Sequence, residues 1–378
     1  MSKERKESSI LAYFGELPDP RIDRCKRHQL IDIIVIGICA VICGADSFVE
    51  MEEFGRAKRD WFETFLDLPN GIPSHDTFRR VFGLLKPSEF QRCFLAWIES
   101  VQEQTKGEVI AIDGKALRGT FERSTNKLAI RMVSAWATGN SLVLGQVKTT
   151  EKSNEITAIP CLLRLLEIEG CLVTIDAMGC QKEIVEQIVE HKADYCISLK
   201  GNQGILHEEV REYFEWARST FFKQLEYSYA ESVEKDHGRI ETRRCWSVSD
   251  VDWLHHKEEW KGLRSICAVE AERVEVVTQK QSRETRYFIS SLESDAKGLM
   301  KAVRKHWAVE NSLHWVSDVA FREDHCQIRK DNGAENFAML RHIALNLLKR
   351  ERTSKVGVKI KRNKAGWDNN YLLKVLTG

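Results

Sequence analysis

Two aspartates end short apolar runs in the same way. One stands in Val109-Ile110-Ala111-Ile112-Asp113-Gly114-Lys115, the other in Leu172-Val173-Thr174-Ile175-Asp176-Ala177-Met178-Gly179. Such a run reads as an interior strand, and an acid placed after it emerges at the carboxyl edge of the sheet, where α/β proteins bind ligands. Gly114 and Ala177 leave room for close approach. If the two strands are neighbours, their carboxylates converge and repel unless a cation lies between them. Hard oxygen donors of this kind suit Mg²⁺ or Mn²⁺. A third acid, Glu310, lies in Lys305-His306-Trp307-Ala308-Val309-Glu310-Asn311-Ser312-Leu313-His314-Trp315. Helical spacing puts His306 and His314 on its face, at i−4 and i+4, with Trp307, Val309 and Leu313 expected to anchor the helix in the core. Taken singly, Glu310 reads as a surface ion pair, and the two histidines as the polar edge of a helix. A zinc site fits less well, because the spacing differs from His-Glu-x-x-His. Three acids can instead hold two ions about 4 Å apart, which activate an attacking oxygen and stabilise the leaving one in an in-line phosphoryl displacement. Attack by water cuts a strand, and attack by a freed 3′-hydroxyl joins it to another.

The elements that must position these acids follow from the pattern. The chain has 378 residues, 43% hydrophobic and 30% charged, with a net charge of +1. That is ordinary for a globular protein, and any nucleic-acid surface must be local. The 11 cysteines include no Cys-x-x-Cys and sit in apolar stretches, which suits reduced thiols in a cytoplasmic protein. No run is long enough to span a bilayer, and the polar start carries no signal peptide. No P-loop, dinucleotide fingerprint or nucleophile elbow is present. Residues 1–105 read as all-helical, a possible DNA-binding domain or a bundle packed on its neighbour, with Ser74 or Asp76 capping a helix that carries Arg79 and Arg80. Residues 106–350 follow the order β-β-β-α-β-α-β, with a β-rich insertion over about 222–292, and helices over 297–318 and 332–350. The fold class is mixed α/β: a mixed sheet with flanking helices. Residues 351–378 read as a basic tail; Lys349 to Lys364 holds eight cations against Glu351, a cluster for nucleic acid or a solvated end.

Seven motifs in order make the chain resemble the H-repeat-associated insertion-sequence transposases of the DDE superfamily. They are Asp19-Pro20-Arg21, Asn70-Gly71-Ile72-Pro73-Ser74-His75-Asp76-Thr77, Ala111 to Lys115, Thr174 to Gly179, Leu199-Lys200-Gly201-Asn202-Gln203, His237-Gly238-Arg239-Ile240-Glu241-Thr242-Arg243, and His306 to Trp315. The resemblance implies an RNase H-like core, an insertion before the last catalytic helix, and a helical domain in front. It implies Asp113, Asp176 and Glu310 as catalytic, metal-binding residues for two Mg²⁺ or Mn²⁺ ions. The spacings are 63 and 134 residues, and the longer gap has room for the insertion. The implied partners are double-stranded DNA, namely the element's terminal inverted repeats and target DNA, with a homodimer joining two ends. Lys115, Arg118, Lys200, Asn202, Gln203, His237, Arg239 and Arg243 are candidate DNA contacts, since Arg, Lys, Asn and Gln make most phosphate contacts. The sequence departs from wider relatives that carry Tyr and Arg before the glutamate and Lys after it; Val303, His306 and Ser317 hold those places. The alternatives are a metal-dependent nuclease without strand transfer, and an inactive DNA-binding remnant.

Overall fold

A computed structural model describes residues 10–102, 107–121, 128–149, 155–236 and 238–377. The first part is helical, as expected. Helix Leu30–Ile42 is apolar on every side, so it can only be interior, and Ile33 to Ile42 are buried throughout. Around it lie Phe48–Ala57, capped by Ser47, then His75–Leu84, capped by Ser74, and Pro87–Val101. Gly37 is small because the Phe82 ring lies against it.

The sheet follows. Strands β1 (Val109–Leu117), β2 (Ile130–Ala137) and β3 (Leu142–Lys148) form an antiparallel meander. Strands β4 (Leu172–Ile175) and β5 (Asp194–Leu199) add on in parallel, each reached through a helix: Glu155–Leu163 before β4, Lys182–Glu190 before β5. After helix Gly204–Ser219, the insertion folds as a four-stranded antiparallel meander of β6 (Ser228–Asp236), β7 (Arg239–Val248), β8 (Ser265–Glu275) and β9 (Gln281–Ser290). β9 pairs with β5, so one nine-stranded sheet runs in the order β3-β2-β1-β4-β5-β9-β8-β7-β6. The first five strands give the mixed RNase H-like arrangement, and the insertion lengthens the same sheet rather than standing apart. β6 was not foreseen in the sequence pattern, because its half-buried face is made of the small residues Ser228, Ala230 and Ser232 rather than large apolar ones.

Helix Ala296–Val309 lies across both halves of this sheet, touching β1, β4 and β5 as well as β6, β7 and β8. A separate apolar layer fills the space between, with Val109, Leu172, Phe288, Leu299 and Val303 beside the small buried thiols Cys196, Cys245 and Cys267. The helix continues through a π turn, Glu310–His314, into Trp315–Phe321. Helix Gly333–Arg350 covers the far edge of the sheet. The Asn346 side chain accepts from the Val143 amide (2.8 Å) and donates to its carbonyl (2.9 Å).

The segment 351–378 corrects the reading of a basic tail. It folds into helices Val358–Trp367 and Asn369–Thr377, and two of its cations are interior. Lys361 donates to the Leu348 carbonyl, and Arg362 donates twice to that of Val41 (3.1 and 2.8 Å) and also to that of Ala320. The Arg362 guanidinium lies 4.2 Å from the centre of the Phe321 ring. These bonds satisfy carbonyls at helix ends that composition does not reveal. One side chain thus ties the first long helix, the end of helix Trp315–Phe321 and the C-terminal segment together. Arg362→Ala is therefore expected to cost roughly 3 kcal/mol in urea unfolding, because buried carbonyls lose a charged donor. The exposed Lys359→Ala on the same helix should shift stability by less than about 0.5 kcal/mol. Equal effects of the two would show that Arg362 is not a tie.

Candidate active site

β1 pairs with β4 only as far as Ile112 opposite Ile175. Beyond that pair β4 ends, while β1 continues along β2 to Leu117. Asp113 and Asp176 are the first residues past this fork, one on each side. Their placement needs only two parallel apolar strands in register. Asp113 is held by His314, whose Nε2 lies 3.1 Å from its Oδ2. Asp176 caps the turn Ala177–Gly179, its Oδ1 accepting from the Met178 amide at 3.1 Å. Gly179 is required there, since a Cβ would fall 2.3 Å from Ile175 Cγ2.

Glu310 comes to the same place from above. Asp113, Asp176 and Glu310 line one cavity of ≈ 170 Å³, together with Thr174, Lys200, Arg286, Phe288, His306 and Trp307. Val309 and Leu313 anchor the helix as expected, but Trp307 does not: it is 46% exposed, and the Arg286 guanidinium stacks 4.3 Å from its ring centre. The π turn that begins at Glu310 widens the helix at this point, a distortion common at functional sites. His306 and His314 are tethers on either side of it. His306 Nδ1 is 3.1 Å from the Thr174 hydroxyl on β4, and burial pushes its pKa down against the pull of Asp113 and Asp176. The imidazole is thus kept neutral at pH 7.

A fourth carboxylate, Glu155, stands by the fork, and sequence reading missed it. Burial, then Asp176, then Asp113 push its pKa above the usual range. It opens a helix 42 residues beyond Asp113 and carries no motif of its own. Among the described residues, no three His, Cys, Asp or Glu side chains are gathered closely enough to hold one ion as they stand. The donor set nevertheless fits a hard divalent cation in kind, being carboxylate oxygens that repel one another without one.

The candidate DNA contacts fall into three groups. Lys200 lines the acid-bearing cavity, and Arg239 and Arg243 line an adjoining one of ≈ 280 Å³ with Arg273 and Arg304. The two cavities share Arg286, Trp307 and Glu310, so a track of arginines, interleaved with Glu241 and Glu284, runs from the acids onto the insertion. Arg286 was not foreseen; it is also braced by Glu284 at 2.8 and 3.0 Å. Arg118 is 82% exposed and faces Asp324, outside both cavities. Lys115, Asn202 and Gln203 have partners within the chain. The Lys115 ammonium is sunk between Asp318 (2.5 Å) and Glu323 (2.8 Å). Asn202 donates to the Ala177 carbonyl and Gln203 to that of Cys180, both at 2.8 Å, so their amides fasten the loop after Asp176. His237 lies outside the described residues. A larger cavity of ≈ 470 Å³ lies elsewhere, between the starts of helices Phe48–Ala57 and His75–Leu84 and residues 322–328; it holds none of the three acids and its charges are of both signs. No helix among the described residues is long and apolar enough to cross a membrane.

Comparison with known proteins agrees with this architecture. Residues 104–347 match the family described as Transposase DDE domain, and residues 11–98 match the one described as DDE_Tnp_1-associated. The chain is 43% identical over 377 residues to "H repeat-associated putative transposase YhhI" of Escherichia coli (strain K12), covering 98% of each. It is 43% identical over 371 residues to "Putative transposase YncI" of Escherichia coli O157:H7, covering 97% of this chain and 94% of that one. Among solved structures, a chain of a piggyBac transposase synaptic complex with hairpin DNA aligns at a TM-score of 0.43 and 13% identity, over 99% of this chain and 78% of that one, too distant to bear on the site. With a DDE domain spanning its sheet and near full-length likeness to H repeat-associated relatives, the chain belongs to the DDE transposase family.

Proposed function

We propose that this protein cuts DNA at the ends of an insertion-sequence-type element and joins the freed 3′ ends to a target, by metal-dependent in-line phosphoryl transfer. The observation that carries the reading is the meeting of Asp113, Asp176 and Glu310 in one cavity, from positions 63 and 134 residues apart, in a chain of this family. Mg²⁺ or Mn²⁺, two ions in all, would be held by these three carboxylates. Bound ions supply activation of the attacking oxygen and stabilisation of the leaving one. The protein's own part is positioning. Asp113 is fixed by His314, and Asp176 by the turn it caps. Glu310 is exposed on its π turn, where its side chain lines the same cavity as the aspartates. Lys200, Arg239 and Arg286 offer charged donors along the track that leads away from the acids, and these grip phosphates, with Arg243 behind them paired to Glu234 and Glu241. Joining two element ends calls for two such sites, hence a homodimer on DNA.

The test uses the purified protein with Mg²⁺ or Mn²⁺, DNA carrying the element's terminal repeats, and a target plasmid. Wild type should give both cut and joined products. Asp113→Asn, Asp176→Asn and Glu310→Gln should each lose about 10³-fold or more, the scale of several kcal/mol of charge stabilisation. Equal products from wild type and Asp113→Asn would sink the reading, and cut ends without joining would reduce it to a nuclease.

Lys115 serves the same site from beneath. Burial pushes Glu323 up, but Lys115, Arg341 and His342 together hold its carboxyl below the usual range. The ammonium also reaches the His314 carbonyl at 3.4 Å, so it fastens the π turn to β1. Lys115→Met leaves a buried acid without its main partner and should cost about 3–5 kcal/mol in urea unfolding. A variant that melts like wild type and loses only DNA affinity would restore Lys115 as a phosphate contact.

A further inference from the structure

The fork between β1 and β4 is approached from two sides. Side chains alternate along a strand, so Asp113 points to one face of β1 and a side chain at Gly114 would point to the other. On the Asp113 side lie His314 and the catalytic helix. On the Gly114 side lies Glu155. Its carboxyl carbon and Oε1 would each be 2.3 Å from a Cβ on Gly114, so the carboxylate fills the volume that any other residue at 114 would occupy. The helix it opens is not free to move away. Ala158, Ile159, Leu162 and Leu163 are buried, and the helix packs on β2, β3 and the turn Ala177–Gly179 that follows Asp176. Glu155 is therefore delivered beside both aspartates at once by a rigid element.

Its neighbours do not account for it. The Glu155 side chain is 12% exposed and pairs with Arg131, 3.6 Å away on a side chain that is 57% exposed. A half-exposed pair at that distance contributes little. A carboxylate set between two others, with Arg131 as its ion pair among the described residues, is in an unfavourable place unless a cation shares it.

We propose that Glu155 is a fourth carboxylate of the ion-binding set, reaching the Asp113–Asp176 fork from the face opposite Glu310, with Gly114 as the opening that admits it. The inference rests on the reading that Asp113 and Asp176 hold divalent ions. It gives Gly114 a function: the residue is small so that an oxygen ligand can stand against the strand. It also gives the two aspartates a third acid on the side away from Glu310, to be drawn in with them when an ion binds.

The test is Mn²⁺ binding to the full-length, DNA-free protein, read by electron paramagnetic resonance and calorimetry, alongside thermal unfolding in metal-free buffer. Glu155→Gln keeps the shape and removes the charge; it should weaken Mn²⁺ binding about tenfold or more while unfolding no earlier than wild type. Gly114→Ala should weaken Mn²⁺ binding as well, because it displaces the carboxylate while leaving Glu155 in the sequence. Asp113→Asn is the reference. If Asp113→Asn loses Mn²⁺ but Glu155→Gln and Gly114→Ala bind it as wild type does, Glu155 is not a ligand and the proposed function stands. If wild type and Asp113→Asn bind Mn²⁺ alike, the ion site itself is misplaced and both readings fall.

Discussion

Negative charges crowded around one cavity repel, and the rest of this structure is arranged to hold them there. Asp113 and Asp176 are fixed by the end of a strand pairing, which costs nothing once β1 and β4 are in register. Glu310 has no such support, because it belongs to a helix that could lift away. What prevents this is a set of bonds between that helix and the strands beneath: His306 to Thr174, His314 to Asp113, and the Lys115 ammonium to Asp318 and to Glu323 just beyond the helix end. The last is buried, so it acts in a medium where an ion pair is strong when made and expensive when broken. The acids can face one another because the helix carrying one of them is riveted on both sides of it.

The insertion takes part in the same arrangement. Because β9 joins β5, the sheet is continuous, and helix Ala296–Val309 rests on core and insertion alike. The arginines of β7, β8 and β9 are thereby held at a fixed distance from the acids. Many of their charges are already matched, Arg243 by Glu234 and Glu241, Arg286 by Glu284. A matched arginine is stiff, and a stiff guanidinium loses less freedom when it binds.

Much of this was legible in the residues, and the failures have physical causes. The two aspartates were readable because buried parallel strands are near-continuous apolar runs, and an acid breaking such a run is conspicuous. Glu310 needed its motif, since one glutamate on a helix has no local signature. Trp307 was misread because an apolar residue at helical spacing suggests a core, yet this one faces the cavity under Arg286. Lys115, Asn202 and Gln203 sit in polar motifs, and sequence does not say whether a polar group serves a ligand or the chain's own carbonyls and acids. The C-terminal helices were hidden by composition: Lys361 and Arg362 look solvated until the Leu348 carbonyl meets the first and that of Val41, 321 residues away, meets the second. Glu155 was invisible for the same reason, because only the fold puts it against Gly114.

The late position of the helix that carries Glu310 bears on what a shortened chain would retain. Asp113 and Asp176 are made early, but Glu310, Asp318 and Glu323 come after residue 309. A chain that stops between residues 177 and 309 keeps two acids on a sheet but not the third carboxylate or the turn that carries it. Such a fragment leaves Lys115 without Asp318 or Glu323, and Asp113 without His314. A chain cut short there lacks one of the three acids that line the cavity, together with the bonds that seat the helix bearing it.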